Sequence, residues 1–324
     1  MKMPAEFAPH ERTVMCWPSR NELYGTHLSS AKQAHATVAK TISGFEPVTM
    51  IANEKDLPEA QRLCGGTVDV VALPIDDSWF RDSGPTYVID GDRRLGTCWI
   101  FNGWGNKFTP HNNDAKVAAA WLRLQGEEAR TIDMVLEGGA INVDGAGTLV
   151  TTEQCLLHLN RNPHLSRSQI AERLCAELGQ ERVVWLPYGL ALDDDTDGHV
   201  DNVAAFCAPG VLVMQGCDDP READFERCAA NRRAAEQAGL QIREIPVLPF
   251  VVADGRRVVV PYLNFYVVNG GVIVPVCGHA ADDDAMALIA EWFPHRQIVG
   301  LDVGEILAIG GGGIHCITQQ VPAV

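Results

Sequence analysis

The most reactive combination of side chains in this sequence stands close to its last residue. Cys316 follows His315 directly, after four consecutive glycines at Gly310–Gly313. A glycine run loses much conformational entropy on folding, so it predicts a backbone that bends sharply or approaches another group closely. A single cysteine is more often a packing residue. With histidine and aspartate elsewhere in the chain, however, Cys316 fits the pattern of a thiol nucleophile, and His315 or nearby N–H groups would help to hold its thiolate.

The segment DDDTDGHVD, residues 193–201, supplies a histidine among carboxylates. Its opening has the spacing of a calcium loop, but the twelfth position is Ala204 instead of a bidentate glutamate, which argues against a metal site. In an extended segment, His199 and Asp201 would face the same side because they are two residues apart. The carboxylate would favour a protonated imidazole and suit His199 to acid–base catalysis near neutral pH.

A further carboxylate, Asp82, lies in the segment SWFRDSGP, residues 78–85. A surface turn with a salt bridge is the alternative interpretation of this segment. Together, Asp82 and Asp201 could hold a planar guanidinium group from both edges through paired charge-assisted hydrogen bonds. Trp79 could stack on the plane of that group.

An internal repeat provides the elements that would position these side chains. Apolar runs centred on Val88, Val150, Val213 and Val274 recur at intervals of roughly 62, 63 and 61 residues, and an abbreviated copy is centred on Met50. A helical pattern and a second strand follow each run. Five strand–helix–strand units predict an α/β architecture, with a doubly wound sheet as the alternative. The candidate residues follow the second strands, so a ring of units would bring them to one centre.

The periodicity also predicts where the helices and second strands lie. In the third unit, Ser166 is a plausible N-cap and Gly179 a stop signal. The predicted helices occupy residues 54–66, 113–126, 165–180, 221–240 and 281–293, and the predicted second strands occupy 68–74, 130–138, 182–187, 241–249 and 297–304.

Composition excludes several classes of protein. A formal net charge of −16 argues against nucleic-acid binding, and it favours cationic over anionic substrates. No stretch has the length of apolar sequence that a membrane span needs, and no signal peptide is recognisable, so a cytoplasmic location is expected. Ten cysteines without a CxxC pair indicate reduced thiols, most of them packing residues, and argue against a zinc ribbon.

Taken together, these motifs resemble the agmatine deiminases and their relatives in the Porphyromonas-type peptidylarginine deiminase family of the guanidine-modifying superfamily. The resemblance covers nearly the whole chain, with several long motifs in the family's order. They are MPAEFAPHERTVMCWP, DDSWFRDSGPTYV, LEGGAINVDGAGTLVTTEQCLL with NRNP, DTDGHVDN, YLNFYVVNGGVIVP and GGGGIHCITQQVP.

The resemblance implies a five-bladed α/β propeller with pseudo-fivefold symmetry, a pentein, formed as a single domain over residues 1–324 with the active site on its axis. It implies that Cys316 is the nucleophile, that His199 is the general acid and base, and that Asp82 and Asp201 hold the guanidinium. These carboxylates should raise the pKa of the thiol, and a bound cation should lower it.

The implied reaction converts agmatine to N-carbamoylputrescine and ammonia through a covalent amidino-thioether, without metal or organic cofactor. The partner expected is therefore a small cationic guanidine, and the family also implies a homodimer. The acidic run at residues 193–197 favours a substrate that ends in an amine, whereas Arg81 is the candidate anchor for an anionic end. The remaining positions expected to contact substrate are Trp79, Glu137, Asp195, Asn264 and Gly313.

Two positions depart from the family pattern: Gly313 stands where the family has asparagine, and Ala205 stands where it often has arginine. Both leave the nucleophile and base intact but bear on substrate identity. A deiminase or amidinohydrolase of another guanidine is therefore the alternative function. A non-catalytic binding module and a Cys–His peptidase are further alternatives, and the two carboxylates beside the thiol argue against the peptidase.

Overall fold

The computed structural model describes residues 1–253 and 255–324, which form 18 strands and 11 α-helices. The strands are β1 His10–Cys16, β2 Val48–Ala52, β3 Val68–Ala72, β4 Thr86–Asp90, β5 Arg93–Ile100, β6 Glu128–Val135, β7 Ile141–Val143, β8 Thr148–Thr152, β9 Arg182–Leu186, β10 Ala204–Ala208, β11 Val211–Gln215, β12 Gln241–Ile245, β13 Phe250–Ala253, β14 Arg256–Val259, β15 Tyr266–Val268, β16 Gly271–Val276, β17 Gln297–Asp302 and β18 Thr318–Pro322. The helices are α1 Asn21–Tyr24, α2 Leu28–Ile42, α3 Leu57–Cys64, α4 Phe80–Ser83, α5 Gly103–Asn106, α6 Asp114–Gln125, α7 Glu153–Leu156, α8 Arg167–Leu178, α9 Asp224–Gln237, α10 Asp282–Trp292 and α11 Gly304–Ile309.

Five small sheets share one core pattern of connections, to which the sheet β18-β1-β2-β3 adds one further parallel strand. Four of them have three strands, in the orders β4-β5-β6, β7-β8-β9, β10-β11-β12 and β15-β16-β17. In each, the first two strands pair antiparallel and the last two pair parallel, with helical segments in the parallel connection. The predicted α/β architecture of five repeated units is therefore confirmed. The doubly wound alternative is wrong, because the strands described form separate small sheets.

Two details of the predicted repeat are wrong. Val88 lies in β4, the antiparallel strand of its sheet, whereas Val150 lies in β8, which pairs in parallel with β9. Strand β5 begins with Arg93 and Arg94, so the more continuous apolar run lies in β4, and the sequence pattern chose that strand. The first unit is also not short of a strand, because β18 from the end of the chain pairs antiparallel with β1 in the sheet β18-β1-β2-β3.

The predicted helices and second strands are confirmed within a few residues at their ends. Helix α8 shows the sequence logic most clearly: the Ser166 hydroxyl accepts from the Gln169 backbone N–H at 3.3 Å, and the Gln169 side chain accepts from the Ser166 N–H at 2.8 Å. Gly179 ends the helix in the left-handed conformation at φ 63°. The face formed by Ile170 and its helical neighbours is buried.

All ten cysteines are free, and six of them are buried, as expected for packing residues. Among the helices in the ranges described, none is both long enough and apolar enough to cross a lipid bilayer. Strands β13 and β14 pair antiparallel on either side of Asp254, which lies outside the described residues.

Candidate active site

Three of the predicted catalytic side chains meet at one glycine just after strand β6. A Cβ atom placed on Gly139 would lie 2.6 Å from His199 Nδ1, 2.9 Å from Asp201 Oδ2 and 2.9 Å from Asp82 Oδ1. No side chain fits at this position without displacing one of the three groups, so glycine is required for their close approach. Asp82 comes from the segment after β3, whereas His199 and Asp201 come from the loop between β9 and β10, and all three are buried. The structure therefore brings together the histidine and both carboxylates predicted from the sequence.

The thiol of Cys316 faces this cluster. Its Sγ lies 3.5 Å from Asp201 Oδ2 and 3.2 Å from Asn264 Nδ2, while its backbone N–H donates to Asn264 Oδ1 at 3.3 Å. Burial raises the pKa of the thiol well above its ordinary value, and the charges of Asp201 and Asp82 raise it further. The predicted effect of the carboxylates on the thiol is confirmed. Without a bound cation, Cys316 is a neutral thiol at neutral pH.

The glycine run lets the backbone before Cys316 pass directly against two predicted substrate-contacting side chains. Gly311 has φ +93°, and a Cβ on it would lie 2.5 Å from Asp195 Oδ2. A Cβ on Gly312 would lie 2.5 Å from the Trp79 ring. Both distances are below van der Waals contact, so the predicted close approach is confirmed at these positions.

Gly313, one of the two departures from the family pattern, accommodates Asn264. A Cβ at this position would lie 2.5 Å from Asn264 Oδ1. Asn264 in turn donates to Asn202 Oδ1 at 2.9 Å, so its amide links Cys316 to the loop after His199. Gly313 lies behind the nucleophile, beside Asn264, and is absent from the described lining of the cavity at Cys316. The other departure, Ala205, lines a small space next to Asp201.

Asp82 lies in the short helix α4, which begins directly after Trp79. Both residues are buried, so the alternative of a surface turn is wrong. The Asp82 carboxylate accepts from the Gly139 N–H and from Trp104 Nε1, each at 2.9 Å. Burial, followed by the charges of Asp201 and Glu137, raises the pKa of Asp82 to about 8. At pH 7 this carboxyl group is mostly protonated when no cation lies beside it.

The loop that carries His199 is organised by a buried aspartate. Asp193 accepts from the backbone N–H groups of Thr196 at 3.0 Å and of His199 at 3.1 Å. Its carboxylate is committed to these internal donors, which agrees with the rejection of a calcium loop. Residues 200–202 form a 3₁₀ turn, so the prediction that His199 and Asp201 share an extended segment is wrong. The turn still directs both side chains to Gly139.

The protonation expected for His199 is also wrong. Burial lowers the pKa of His199 to about 3 and outweighs the nearby Asp201 charge, because desolvation penalises an imidazolium that has no direct carboxylate hydrogen bond. Its Nδ1 is 3.8 Å from Asp82 Oδ1 and its Nε2 is 4.0 Å from Glu137 Oε2. Neither ring nitrogen has a hydrogen-bond partner among residues 1–253 and 255–324. The ring is neutral at rest, with a free lone pair to receive a proton.

Glu137 lies beside the His199 imidazole, 4.0 Å from its Nε2, and is not among the residues that line the cavity at Cys316. Its carboxylate is fully buried and lies 2.7 Å from Arg161 Nε, and Arg161 also donates to Asp197 Oδ2 at 2.8 Å. Glu137, Cys155 and His199 offer metal-binding atoms within 4.8 Å of one another. Arg161 already supplies the positive charge at this point, so these residues do not favour a metal.

A narrow cavity of about 20 Å³ opens onto the thiol. The side chains that line it include acids and aromatic rings, and none of the lining residues is arginine or lysine. They are Leu23, Trp79, Asp82, Trp104, Phe108, Asp195, Thr196, Gly310, Gly311 and Cys316. A larger cavity of about 260 Å³ shares Asp195 and Gly311 with it. Trp79 and Asp195 both line the cavity that opens onto Cys316.

Arg81 is directed away from this cavity. It donates to Gln320 Oε1 at 2.7 Å and to Glu6 Oε2 at 3.3 Å. The hypothesis that Arg81 anchors an anionic end of the substrate is therefore not supported. His315 likewise faces Glu6 and Asp201, so its ring is not positioned to hold the thiolate.

Sequence reasoning missed several residues that complete the site. Trp104 has φ 54°, a left-handed conformation that is rare outside glycine, and the motif NGWGN around it was the available signal. Arg161 stands in the quoted NRNP motif but was given no role. Glu6 and Asn202 act through contacts with residues far away in the sequence, which no local pattern reveals.

Comparisons with known proteins agree with this geometry. The family model described as Porphyromonas-type peptidyl-arginine deiminase matches residues 2–322. The agmatine deiminase of Stutzerimonas stutzeri is 41% identical over 352 residues, an alignment that covers 99% of this chain and 95% of that protein.

Solved structures show the same similarity. The agmatine deiminase of Enterococcus faecalis superposes with a TM-score of 0.94 at 33% identity, covering 99% of this chain and 96% of that one. A cysteine-to-serine variant of the C. jejuni agmatine deiminase with substrate bound superposes with a TM-score of 0.92 at 26% identity, covering 99% and 96% of the two chains. The mixed α/β fold is therefore shared with agmatine deiminases.

Proposed function

The chain belongs to the Porphyromonas-type peptidyl-arginine deiminase family, and from that membership we propose that it is an agmatine deiminase. It hydrolyses a C–N bond of a linear amidine and converts agmatine to N-carbamoylputrescine and ammonia. One observation carries the proposal: a buried thiol contacts Asp201 and lines a cavity together with Asp82, and no lining residue of that cavity is arginine or lysine. Such a site lacks one positive charge, and a guanidinium group supplies it.

The substrate itself activates the nucleophile. In the free enzyme, the Cys316 thiol and the His199 imidazole are both neutral, since the pKa of the thiol is raised and the pKa of the imidazole is lowered. A guanidinium held by the two carboxylates stabilises the thiolate, and the thiol proton passes to His199. The sulfur then adds to the central guanidinium carbon, and a C–S bond forms in a tetrahedral adduct.

Ammonia leaves when His199 returns this proton. The protonated imidazole donates to one NH₂ group, the C–N bond breaks, and a positively charged amidino-thioether remains on Cys316. Water then attacks the same carbon and gives a proton to His199. The C–S bond breaks, the hydroxyl proton moves to the leaving sulfur, and the neutral ureido product is released. His199 gives its extra proton to solvent, which restores the neutral imidazole of the free enzyme.

Asp195 is the residue that selects a terminal amine. It is exposed where the narrow cavity meets the larger one, and one of its oxygens lies against Gly311, close to the nucleophile's loop. An ammonium at the end of the substrate's carbon chain gains an opposite charge from Asp195, which would repel a carboxylate, and the larger cavity is also lined by Arg256 and Arg257. This favours agmatine over arginine.

We also infer that the repeated sheets surround the site as a pentein propeller of one domain, residues 1–324. Five sheets with one core pattern of connections, and catalytic groups from different units meeting at Gly139, support this arrangement. Ten free cysteines, including the nucleophile, support work in the reducing cytoplasm.

Ammonia release from a panel of agmatine, arginine, a peptidyl-arginine and methylated arginines tests the proposal. We expect turnover of agmatine above the other guanidines and its loss in Cys316→Ala. Asp195→Asn should raise KM for agmatine with a smaller change in kcat, while Asp194→Asn, an equal charge change at the adjacent exposed residue, should not. Turnover confined to another guanidine would contradict the substrate assignment. If the folded enzyme released no ammonia from any guanidine in the panel, the assignment as a deiminase would be contradicted.

A further inference from the structure

A histidine lies between two buried carboxylates directly behind the guanidinium site. His315 Nδ1 is 2.9 Å from Asp201 Oδ2, and His315 Nε2 is 2.8 Å from Glu6 Oε2. All three side chains are buried, the two carboxylates more than nine-tenths of their surface. Glu6, His315 and Asp201 thus form a charged line of three side chains. His315 is the residue before the nucleophile Cys316, and Asp201 contacts the Cys316 sulfur.

The hydrogen bonds define the charge of this imidazole. Both partners are carboxylate oxygens, which accept, so both ring nitrogens must donate, and only an imidazolium does this. Burial and the nearby Arg81 lower the pKa of His315, but Glu6 and Asp201 outweigh them and the net shift is upward. Although burial opposes it, the pKa of Glu6 falls to about 2 and that of Asp201 also falls, chiefly through His315.

Asp82, the other carboxylate of the site, has no cationic partner among the described residues. Within the described part of the chain, Asp82 receives only neutral donors, the Gly139 N–H and the Trp104 indole, and its pKa is raised to about 8. The two carboxylates are therefore in different states in the free enzyme at neutral pH: Asp201 is ionised and Asp82 is mostly protonated. The difference follows from what each one contacts.

We propose that His315 is a positioning residue for the deiminase reaction: as an imidazolium clamped by Glu6, it keeps Asp201 ionised and fixes its orientation toward the guanidinium. The inference rests on the proposed function. Asp201 Oδ1 is buried and has no hydrogen-bond partner, while Oδ2 is held by the ring. The free oxygen is thus the one available to accept a guanidinium N–H.

Glu6 is itself anchored, which makes the line rigid. Its Oε1 accepts from the Val267 N–H at 2.9 Å, and its Oε2 accepts from Arg81 at 3.3 Å. Arg81 also donates to the carbonyl oxygen of His315 at 3.3 Å. The charged groups that face the His315 ring are therefore Asp201, Glu6 and Arg81. The N-terminal segment contributes to catalysis through them without contacting substrate.

Steady-state kinetics of His315→Gln and Glu6→Gln test this role. Both replacements keep a side chain that can hydrogen-bond but remove a charge from the line. For His315→Gln we expect kcat/KM for agmatine to fall about 10- to 100-fold, because an adjacent opposite charge lowers a carboxylate pKa by ~1–3 units. Most of the loss should appear in KM. The acidic limb of the kcat/KM profile should move to higher pH, with a smaller shift for Glu6→Gln.

His35→Gln is the matched control, since His35 is fully buried but pairs with a backbone carbonyl. It should lower thermal stability without moving the pH profile. An unchanged acidic limb in His315→Gln, or an equal shift in His35→Gln, would overturn the proposal.

A second measurement separates this proposal from the proposed function. In ¹⁵N-histidine-labelled enzyme without substrate, both His315 ring nitrogens should carry protons at pH 7 to 8, with the resonance assigned by its absence in His315→Gln. A neutral His315 ring would overturn the proposal even if agmatine is turned over. A doubly protonated ring in an enzyme that turns over no guanidine would support the charged line and sink the deiminase assignment instead.

Discussion

Trp104 provides the sharpest test of how the site controls charge. Its indole Nε1–H donates to Asp82 Oδ2 at 2.9 Å, both groups are buried, and the bond lowers the pKa of Asp82 against the larger effect of burial. Trp104→Phe keeps an aromatic ring in contact with Phe101 and Phe108 but removes this donor. A hydrogen bond to a charged group contributes about 1.5–3 kcal/mol, so kcat/KM for agmatine should fall about 10- to 150-fold at pH 7.

The pH profile of Trp104→Phe separates this reasoning from simple loss of packing. Without the indole donor the pKa of Asp82 rises further above about 8, so the acidic limb of kcat/KM should move to higher pH. Trp99→Phe is the matched control, because the Trp99 indole nitrogen is buried but has no hydrogen-bond partner. A kcat/KM for Trp104→Phe within twofold of wild type, with an unmoved acidic limb, would refute the assignment of Asp82 as a proton-sensitive arm of the clamp.

Three further predictions concern the nucleophile, the base and the glycine beside them. Gly313→Ala should lower kcat, because its methyl would displace Asn264 from the thiol, whereas Gly66→Ala, with nothing within 4 Å of the added atom, should retain activity. His199 has a pKa of about 3 when folded and 6.5 when unfolded, so acidification from pH 7 to pH 5 should reduce the free energy of unfolding by roughly 1–2 kcal/mol more in wild type than in His199→Gln; equal slopes in urea titrations would contradict this. Alkylation of Cys316 by iodoacetamide, followed by peptide mass spectrometry, should accelerate with pH up to pH 9 without a plateau near neutrality; such a plateau would indicate a resting thiolate.

The catalytic residues could be predicted because a cysteine after a glycine run, together with a histidine among aspartates, is an uncommon combination in a sequence. Cys316 after a glycine run needed no tertiary information, and neither did the helical periodicity that predicted α8 with its Ser166 cap. The repeat told us that strand ends would converge. It selected β4 instead of β5, because β5 begins with two arginines and the apolar run is more continuous in β4.

What escaped prediction depends on burial and on contacts distant in sequence. The Glu6 contact with His315 spans 309 residues, so no local pattern contains it. The carboxylate near His199 predicted a raised pKa, yet desolvation lowers it, and the extent of desolvation is set by the fold. For the same reason, sequence alone could not show which of Asp82 and Asp201 is ionised at rest.

The charges of the site explain why the substrate is a cation and why its product leaves. Each of two buried carboxylates has a cation supplied by the protein: Arg161 for Glu137, and His315 for Asp201. Among the described residues, the third carboxylate, Asp82, contacts only neutral donors. A guanidinium supplies the missing charge and at the same time stabilises the thiolate of Cys316. The ureido product is neutral at the same position, so its formation removes the charge that held the substrate, and Asp82 regains its proton as the product departs.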